Sequence, residues 1–291
     1  MDINYELYKV FYYVADTLSF SEASKQLFIS QSAVSQSIKA LEKKLDQVLF
    51  IRSTKKVQLT PEGEILLRHI EPAINLIKRG ESQIMETAST GGQIRIGASD
   101  TICRYFLVPY LERFHKAFPN AHIKVTNATS IKCTELLENG QVDLIVANYP
   151  NVYLGSLASF RKIRDFHDVF IANQSFAELQ GKKLSLKELQ RYPIIMLDRK
   201  STTSEFLHSL FQQHQLDLVP EIELTSNDLL IDLARIGLGI AFIPNFCLSE
   251  QTCDLFAVQT EEELPERELV IAYNEQVLTS KAAKEFLSFF D

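Results

Sequence analysis

The sequence predicts a mainly α N-terminal segment, one long connecting helix and a two-lobed α/β region. Three observations predict it. Up to about residue 60 the apolar residues recur at three- and four-residue steps, the period of amphipathic helices. A single heptad-like stripe then runs from Leu66 to Ile84, as along one long helix. From Gln93 short β runs alternate with helical stretches, and the alternation restarts near Pro193, as in two α/β subdomains. The 291 residues leave room for two or three domains.

In the first segment Leu7, Val10, Phe11, Val14, Ala15 and Leu18 form the stripe of a helix. Ser21 is placed to cap a short second helix carrying Ala23 and Leu27, with Glu22 in its first turn. After a break at Phe28-Ile29-Ser30, a third helix from about Gln31 to Leu45 puts Val34, Ile38, Leu41 and Leu45 on its apolar face. Ser32, Ser35, Gln36 and Lys39 fall on the other face. Val48 to Arg52 and Val57 to Leu59 read as two short strands around a hairpin, Ser53-Thr54-Lys55-Lys56.

Charge sharpens this reading. The chain carries 30 Lys+Arg against 37 Asp+Glu, a formal net charge of −7, which taken whole argues against a nucleic-acid partner. Residues 1–60 hold eight basic and six acidic side chains, net +2, which leaves −9 on the remainder. Six of the eight basic residues lie between Lys39 and Lys56. Two helices joined by a tight turn, the second with a face of Ser, Gln and Lys, followed by a basic hairpin, have the parts of a winged helix-turn-helix. Gln can pair with adenine edges, Ser with bases or phosphates, and Lys with phosphates. A solvated polar face on an ordinary three-helix bundle is the rival reading of the same helices.

The stretch SFSEASKQLFISQSAVSQSIKALEKKLDQVLFIRSTKKVQLTPEGE, residues 19–64, resembles the winged helix-turn-helix of the LysR-type transcriptional regulators in its SQxAVS…I…LE core, its LF.R and its LT.EG exit. The resemblance implies binding to double-stranded DNA through Ser21, Ser30, Gln31, Ser32, Ala33, Ser35, Gln36 and Lys39 on the helices, and through Arg52, Thr54, Lys55 and Lys56 on the wing. Ser32 stands where the family most often has Pro, Gln36 where Arg is frequent, and Asp46 where Gly is common. Without an Arg at Gln36 the groove face lacks the side chain best suited to guanine, so base preference is not transferable from relatives.

Thr60-Pro61 is a helix start, with Thr as cap, Pro in the first turn, and Glu62 and Glu64 at the positive end. Beyond it Leu66, Ile70, Ala73, Ile77 and Ile84 form the stripe, and Pro72 is expected to kink it or mark a fresh start. The resemblance implies a linker helix that pairs with its copy in a second subunit, giving a dimer and on assembly a tetramer. Packing of the stripe on the C-terminal domain of the same chain is the alternative. Glu86 to Gly92 is small and polar, as a hinge would be.

The second region reads strand 94–97, helix 104–116, strand 122–126, helix 132–138 and strand 142–147, then strands near 160–164 and 168–172. The second round is strand 193–197, helix 204–214, strand 221–225, helix 227–236 and strand 239–243, closed by strand 269–273 and helix 280–290. That order argues mainly parallel sheets with helices on both faces. GLGIAFIP at 237–244 and DLI at 143–145 fit the effector-binding domain of the same family, which is similar to two-lobed, type 2 periplasmic binding proteins. The resemblance divides the chain into a DNA-binding domain, 1–60, a linker helix and hinge, 61–92, and an effector domain, 93–291. Its first lobe takes about 93–162 and 267–291, its second about 163–266.

Ligands of open α/β sheets bind where strands end and helices begin. Ser99, Asp100 and Thr101 occupy one such turn, and Lys200, Ser201, Thr202 and Thr203 a second in the other lobe. The resemblance adds Thr129 and Asn148. Helix N-termini, hydroxyls and Lys200 favour a small anion, most simply a carboxylate, whereas Asp100 favours an amine, so the expected effector is an acidic or amino-acid-like metabolite. Ser and Thr before a helix are first of all caps, which is the bland alternative.

Some members of the family sense oxidants through a cysteine pair in the second lobe, but residues 198–208 contain no cysteine. Cys247 and Cys253 read as structural thiols. Cys103, near a helix N-terminus where a thiol pKa can fall, is also expected to pack. No zinc-ligand spacing, P-loop or GxSxG occurs, and Gly237-x-Gly239 follows a helix and reads as a C-cap. The expectation is a ligand-responsive transcriptional regulator without catalysis or cofactor. With no apolar run of membrane length and no secretory pattern it is expected in the cytoplasm, off the membrane. A small-molecule-binding protein with no role on DNA is the rival.

Overall fold

The computed structural model describes residues 3–52, 56–85, 92–155, 159–248, 254–275 and 280–290. Thr54, Lys55, Cys253 and the expected hinge up to residue 91 lie outside the described residues. The chain divides into two compact units, meeting between Met85 and Glu86.

The first unit packs α1 (Tyr5–Thr17), α2 (Phe20–Leu27) and α3 (Gln31–Leu45) around Phe11, Val14, Ala23, Val34, Ile38 and Leu41. Ser19, not Ser21, caps α2: its backbone is extended and its hydroxyl accepts from Glu22 N at 3.2 Å, which leaves Ser21 already inside the helix. Each of the three helices ends on a left-handed residue, Leu18, Phe28 or Asp46, so Asp46 adopts at φ 53° the conformation that usually selects glycine. The strands β1 (Phe50–Arg52) and β2 (Val57–Leu59) pair antiparallel, Phe50 opposite Leu59. Phe50 sits 5.4 Å from the Phe11 ring and 5.9 Å from that of Phe20.

The exit to α4 (Pro61–Met85) is closed by Thr60, whose hydroxyl donates to Val48 O at 2.7 Å and accepts from Gly63 N at 3.0 Å. A Cβ at Gly63 would stand 2.3 Å from Leu49 O, so only glycine lets the helix approach the strand. The helix runs through Pro72 without a second start. The expected single seam divides: Leu66 and Ile70 pack with Leu67 on the core of this unit, whereas Ile77 and Ile84 are 44% and 87% exposed.

The second unit holds two sheets. The first has the order β4 (His122–Asn127), β3 (Gln93–Ala98), β5 (Leu144–Tyr149), β13 (Arg267–Tyr273), β6 (Ser159–Phe166). The second has the order β10 (Ile222–Leu224), β9 (Ile194–Leu197), β11 (Ile240–Pro244), β7 (Asp168–Ala172), β12 (Phe256–Thr260), β8 (Lys183–Leu184). Each is mixed: a parallel block of three strands, β4-β3-β5 or β10-β9-β11, is extended by antiparallel partners, and in the second sheet β8 closes the edge parallel to β12. The chain changes sheets at His167, between β6 and β7, and returns at Arg267 after β12. Strands β8 and β12 and the short helix α8 (Leu186–Leu189) carry no strong pattern and are unread in the sequence.

After β3 come a helical turn α5 (Asp100–Ile102), a π-helical turn (Cys103–Leu107) and α6 (Val108–Ala117). Helices α7 (Ser130–Glu138), α9 (Thr202–Gln213) and α10 (Asn227–Arg235) follow β4, β9 and β10, and α11 (Lys281–Leu287) comes last. Gly237, at φ +82°, terminates α10 as the C-cap reading required. One apolar cluster, including Ile96, Leu144, Ile171, Ile195, Ala241 and Ile271, joins both sheets.

Candidate functional sites: an exposed helix face and an inter-lobe cleft

On the first unit the polar face of α3 faces solvent. Gln31, Ser32, Gln36 and Lys39 are exposed, and Ala33 and Ser35 are half-buried. Ser30 is the N-cap of α3, its hydroxyl accepting from Ala33 N at 3.2 Å and lying 2.9 Å from that of Ser32. Ser21 is exposed in the first turn of α2. Arg52 is drawn to this face by two contacts: Nη1 donates to Ser35 Oγ at 3.1 Å, and the guanidinium stacks 4.2 Å from the Phe20 ring centroid. Lys56 is exposed beside the wing. Glu42, on α3, anchors the wing by accepting from Leu49 N at 2.9 Å and Phe50 N at 3.4 Å. A helix held rigidly to a basic hairpin, with Gln, Ser and Lys outward, can enter a major groove and grip the flanking backbone.

In the second unit a cavity of about 410 Å3 opens where the two sheets' carboxyl ends meet. Four N-cap residues line it: Ser99 before α5, Thr129 before α7, Ser201 before α9 and Ser226 before α10. Each hydroxyl accepts from the backbone N–H of its own first turn, at 3.1 to 3.4 Å. Asp100, Thr101, Asn148, Thr202 and Thr203 line it as expected. The helix before which Thr202 and Thr203 were expected starts two residues earlier, because Ser201 and not Thr203 is the cap.

Lys200 is not among the lining side chains. It precedes the cap, its backbone N–H donates to Asp198 Oδ1 at 3.1 Å, and its side chain is exposed. Asp198, from the same turn as Ser201, lines the cavity too, and Asn127, Ser130, Asn227 and Phe246 line it unforeseen. Asn227 Nδ2 donates to Thr101 Oγ1 at 2.9 Å across the cleft, and Asn148 Nδ2 to Thr202 Oγ1 at 3.4 Å. A strand-end Ser-Asn before α10, at Ser226-Asn227, repeats the signal read at Ser99 and was available to the same argument.

Residues 5–64 match the family model of the bacterial regulatory helix-turn-helix protein, lysR family, and residues 87–291 match the LysR substrate binding domain. The chain belongs to the LysR family. It is therefore a LysR-type DNA-binding transcriptional regulator with an effector-binding domain, and the rival with no role on DNA is set aside. Among its relatives, the probable RuBisCO transcriptional regulator of Gracilaria tenuistipitata var. liui is 28% identical over 277 residues, covering 92% of this chain and 89% of its own. The crystal structure of full-length CbnR complexed with its target DNA has the same fold at TM-score 0.66 and 17% identity, covering 99% of both chains. The regulatory domain of Synechocystis CcmR, in complex with 2-PG, aligns at TM-score 0.61 and 19% identity over 68% of this chain and 95% of that one.

Among the described residues of this LysR-family chain Cys133 and Cys247 are buried and Cys103 is half-buried. Burial, with Asp100 beside it, pushes Cys103 up to about 11, and burial pushes Cys133 up to about 12. Cys247 is raised by burial and by Asp168 and Asp228. A thiol with so little thiolate is a poor nucleophile, so the helix start beside Cys103 does not activate it. Among the described residues no helix is long and apolar enough to cross a membrane.

Proposed function

We propose that this regulator binds a small carboxylate or amino-acid-like metabolite in the inter-lobe cavity and changes its grip on DNA in response. The observation that carries the reading is the convergence of four capped helix starts on one cavity, with Ser99, Thr129, Ser201 and their neighbours Asp100, Thr101, Asn148, Thr202 and Thr203 as the binding set. Helix N-termini favour anionic groups, and Asp100 offers a partner to an ammonium. Lys200 contributes at most from outside the cavity. The 2-PG complex of the CcmR domain supports a small acidic effector in a domain of this fold. A thermal-shift screen of organic acids, amino acids and 2-PG tests the reading; stabilisation only by apolar or cationic compounds overturns it.

DNA recognition rests on Gln31, Ser32, Ala33, Ser35, Gln36 and Lys39 in the groove, with Ser21, Ser30, Arg52, Thr54, Lys55 and Lys56 on the backbone. The target-DNA complex of CbnR supports this placement. The exposed Ile77 and Ile84 on α4 support pairing of that helix with a second copy, which would place two recognition helices on two half-sites. The division is DNA-binding domain 1–60, linker 61–92 and effector domain 93–291, working in the cytoplasm as a dimer or tetramer and without catalysis. Gel shift with DNA upstream of the protein's own locus, with and without the hit from the screen, tests the whole scheme. Effector binding shifts DNA affinity only through different affinities for two states of the assembly.

A further inference from the structure

Arg267 is the largest fully buried side chain, yet it carries a charge. It stands where the chain re-enters the first sheet, and its Nη1 donates at 2.7 Å to Asp168, which stands where the chain enters the second. Phe166 and Phe206 lie over the guanidinium at 5.2 and 4.9 Å. A buried ion pair gives little net stability relative to an apolar pair, and this one leaves Asp168 Oδ1 and Arg267 Nε without a hydrogen-bond partner. Its remaining bonds point to a different use: Nη1 donates to Thr203 Oγ1 at 3.2 Å and Nη2 to Thr202 Oγ1 at 3.3 Å.

A threonine hydroxyl has one proton and two acceptor positions. Thr202 Oγ1 already accepts from Arg267 and, at 3.4 Å, from Asn148 Nδ2. Both acceptor positions are taken, and the hydroxyl is left only as a donor, on a residue that lines the cavity. The orientation of the Asn148 amide fixes this role: with its oxygen and nitrogen exchanged, Thr202 would donate to Asn148 and the free donor would be the amide N–H instead. Arg267 has donors only, so each of its contacts with a hydroxyl takes an acceptor position of that hydroxyl.

On the reading of this cavity as the effector site, we infer that Arg267 is a positioning residue: without touching the ligand, and anchored also on Thr203 Oγ1, it holds Thr202 as a hydrogen-bond donor and so makes this corner select an oxyanion. The ligand's carboxylate or phosphoryl oxygen sits against Thr202. No lysine or arginine is among the described residues lining the cavity, so the selectivity for an anion comes from oriented neutral donors at the start of α9, a helix of 12 residues.

The test titrates the full chain with lactate, inorganic phosphate and neutral lactamide, and compares the anion-to-lactamide affinity ratio. Thr202→Val is expected to lower anion affinity on the order of tenfold while barely changing lactamide, and Thr202→Ser to restore it. Arg267→Lys keeps a charge for Asp168 but cannot span two hydroxyls with one ammonium; it is expected to lower the ratio several-fold. The pair Asp168→Asn with Arg267→Met removes the buried charges together and is expected to do the same. Preference for lactate identifies the corner's occupant as a carboxylate, preference for phosphate as a phosphoryl group. A wild-type ratio in the Arg267 variants, or in Thr202→Val if those variants do not fold, overturns the inference while leaving the effector site intact. Indifference of the wild-type chain to both anions overturns the effector reading itself.

Discussion

The exposed face of α3 and the inter-lobe cavity are built on opposite principles. The α3 face is made by one helix whose inward residues, Val34, Ile38 and Leu41, hold it in place while the outward ones are exposed. The cavity is made by residues from Ser99 to Phe246, most of them at helix starts, and several of its polar groups are buried. On the helix face, the polar side chains open to solvent and those that hold the helix in place are different residues. In the cavity the lining and the structural roles fall on the same residues, since Ser201 both caps α9 and lines the cavity.

The largest expected effect breaks the first unit while sparing the second. Phe11→Ala empties a fully buried position between the rings of α1 and the wing and is expected to cost about 3–5 kcal/mol. DNA binding in a gel shift should be lost, while the thermal-shift response to whichever acid stabilises the wild-type chain is retained; loss of both would show that the two regions are not separable. Next come Gln31→Ala, Ser35→Ala and Gln36→Ala, which should narrow the gap between specific and non-specific DNA by about 1–3 kcal/mol for a good base contact without moving the melting temperature. Unchanged footprints would refute the groove assignment.

A smaller effect distinguishes cap from surface. Ser201→Ala and Ser226→Ala are expected to lose about 1 kcal/mol of stability each and to weaken effector binding as well. Lys56→Ala should lower affinity for all DNA sequences alike and reduce the salt slope by about one unit. Its melting temperature should not change. Equal behaviour of the cap and wing variants in melting would remove the contrast between the two sites.

The smallest effect concerns the thiols. In a Cys253→Ser background Cys103 and Cys133 should resist alkylation at pH 8 in the folded chain. Their thiol forms are favoured by folding, so that contribution is fully present below the ordinary thiol value of 9.0 and is lost as pH rises towards about 11 for Cys103 and about 12 for Cys133. Rapid labelling of the native protein at pH 8 would show that burial does not protect them.

Elements with strong local periodicity were legible: α1, α3 and the strands of both parallel blocks fall close to where apolar spacing put them. The caps were partly so. Ser99 and Ser201 stand out because a small polar residue separates a β run from a helical one, but between α1 and α2 both Ser19 and Ser21 are small polar residues before a helical run, and the choice of Ser19 depends on an extended backbone that composition does not encode. Lys200 was misjudged because closeness in sequence says nothing of which way a side chain leaves a turn. Strand β12 and the short β8 were missed because a peripheral strand needs no apolar alternation when its pairing comes from β7 and from β12 itself.

What the sequence determined by itself was therefore whatever depends on neighbours within about a turn or two of helix or a few residues of strand: the helix with the exposed Gln, Ser and Lys face, the wing and its basic charge, the two α/β rounds and the threonine- and serine-rich turns. The tertiary structure alone decided which of those turns converge on one cavity, that Glu42 would clamp the wing, and that Arg267 would meet Asp168, Thr202 and Thr203. Arg267 and Asp168 are 99 residues apart. Nothing local in the sequence marks either one, because what makes them partners is that the chain crosses between sheets at both places, and only the folded sheets bring the two crossings together.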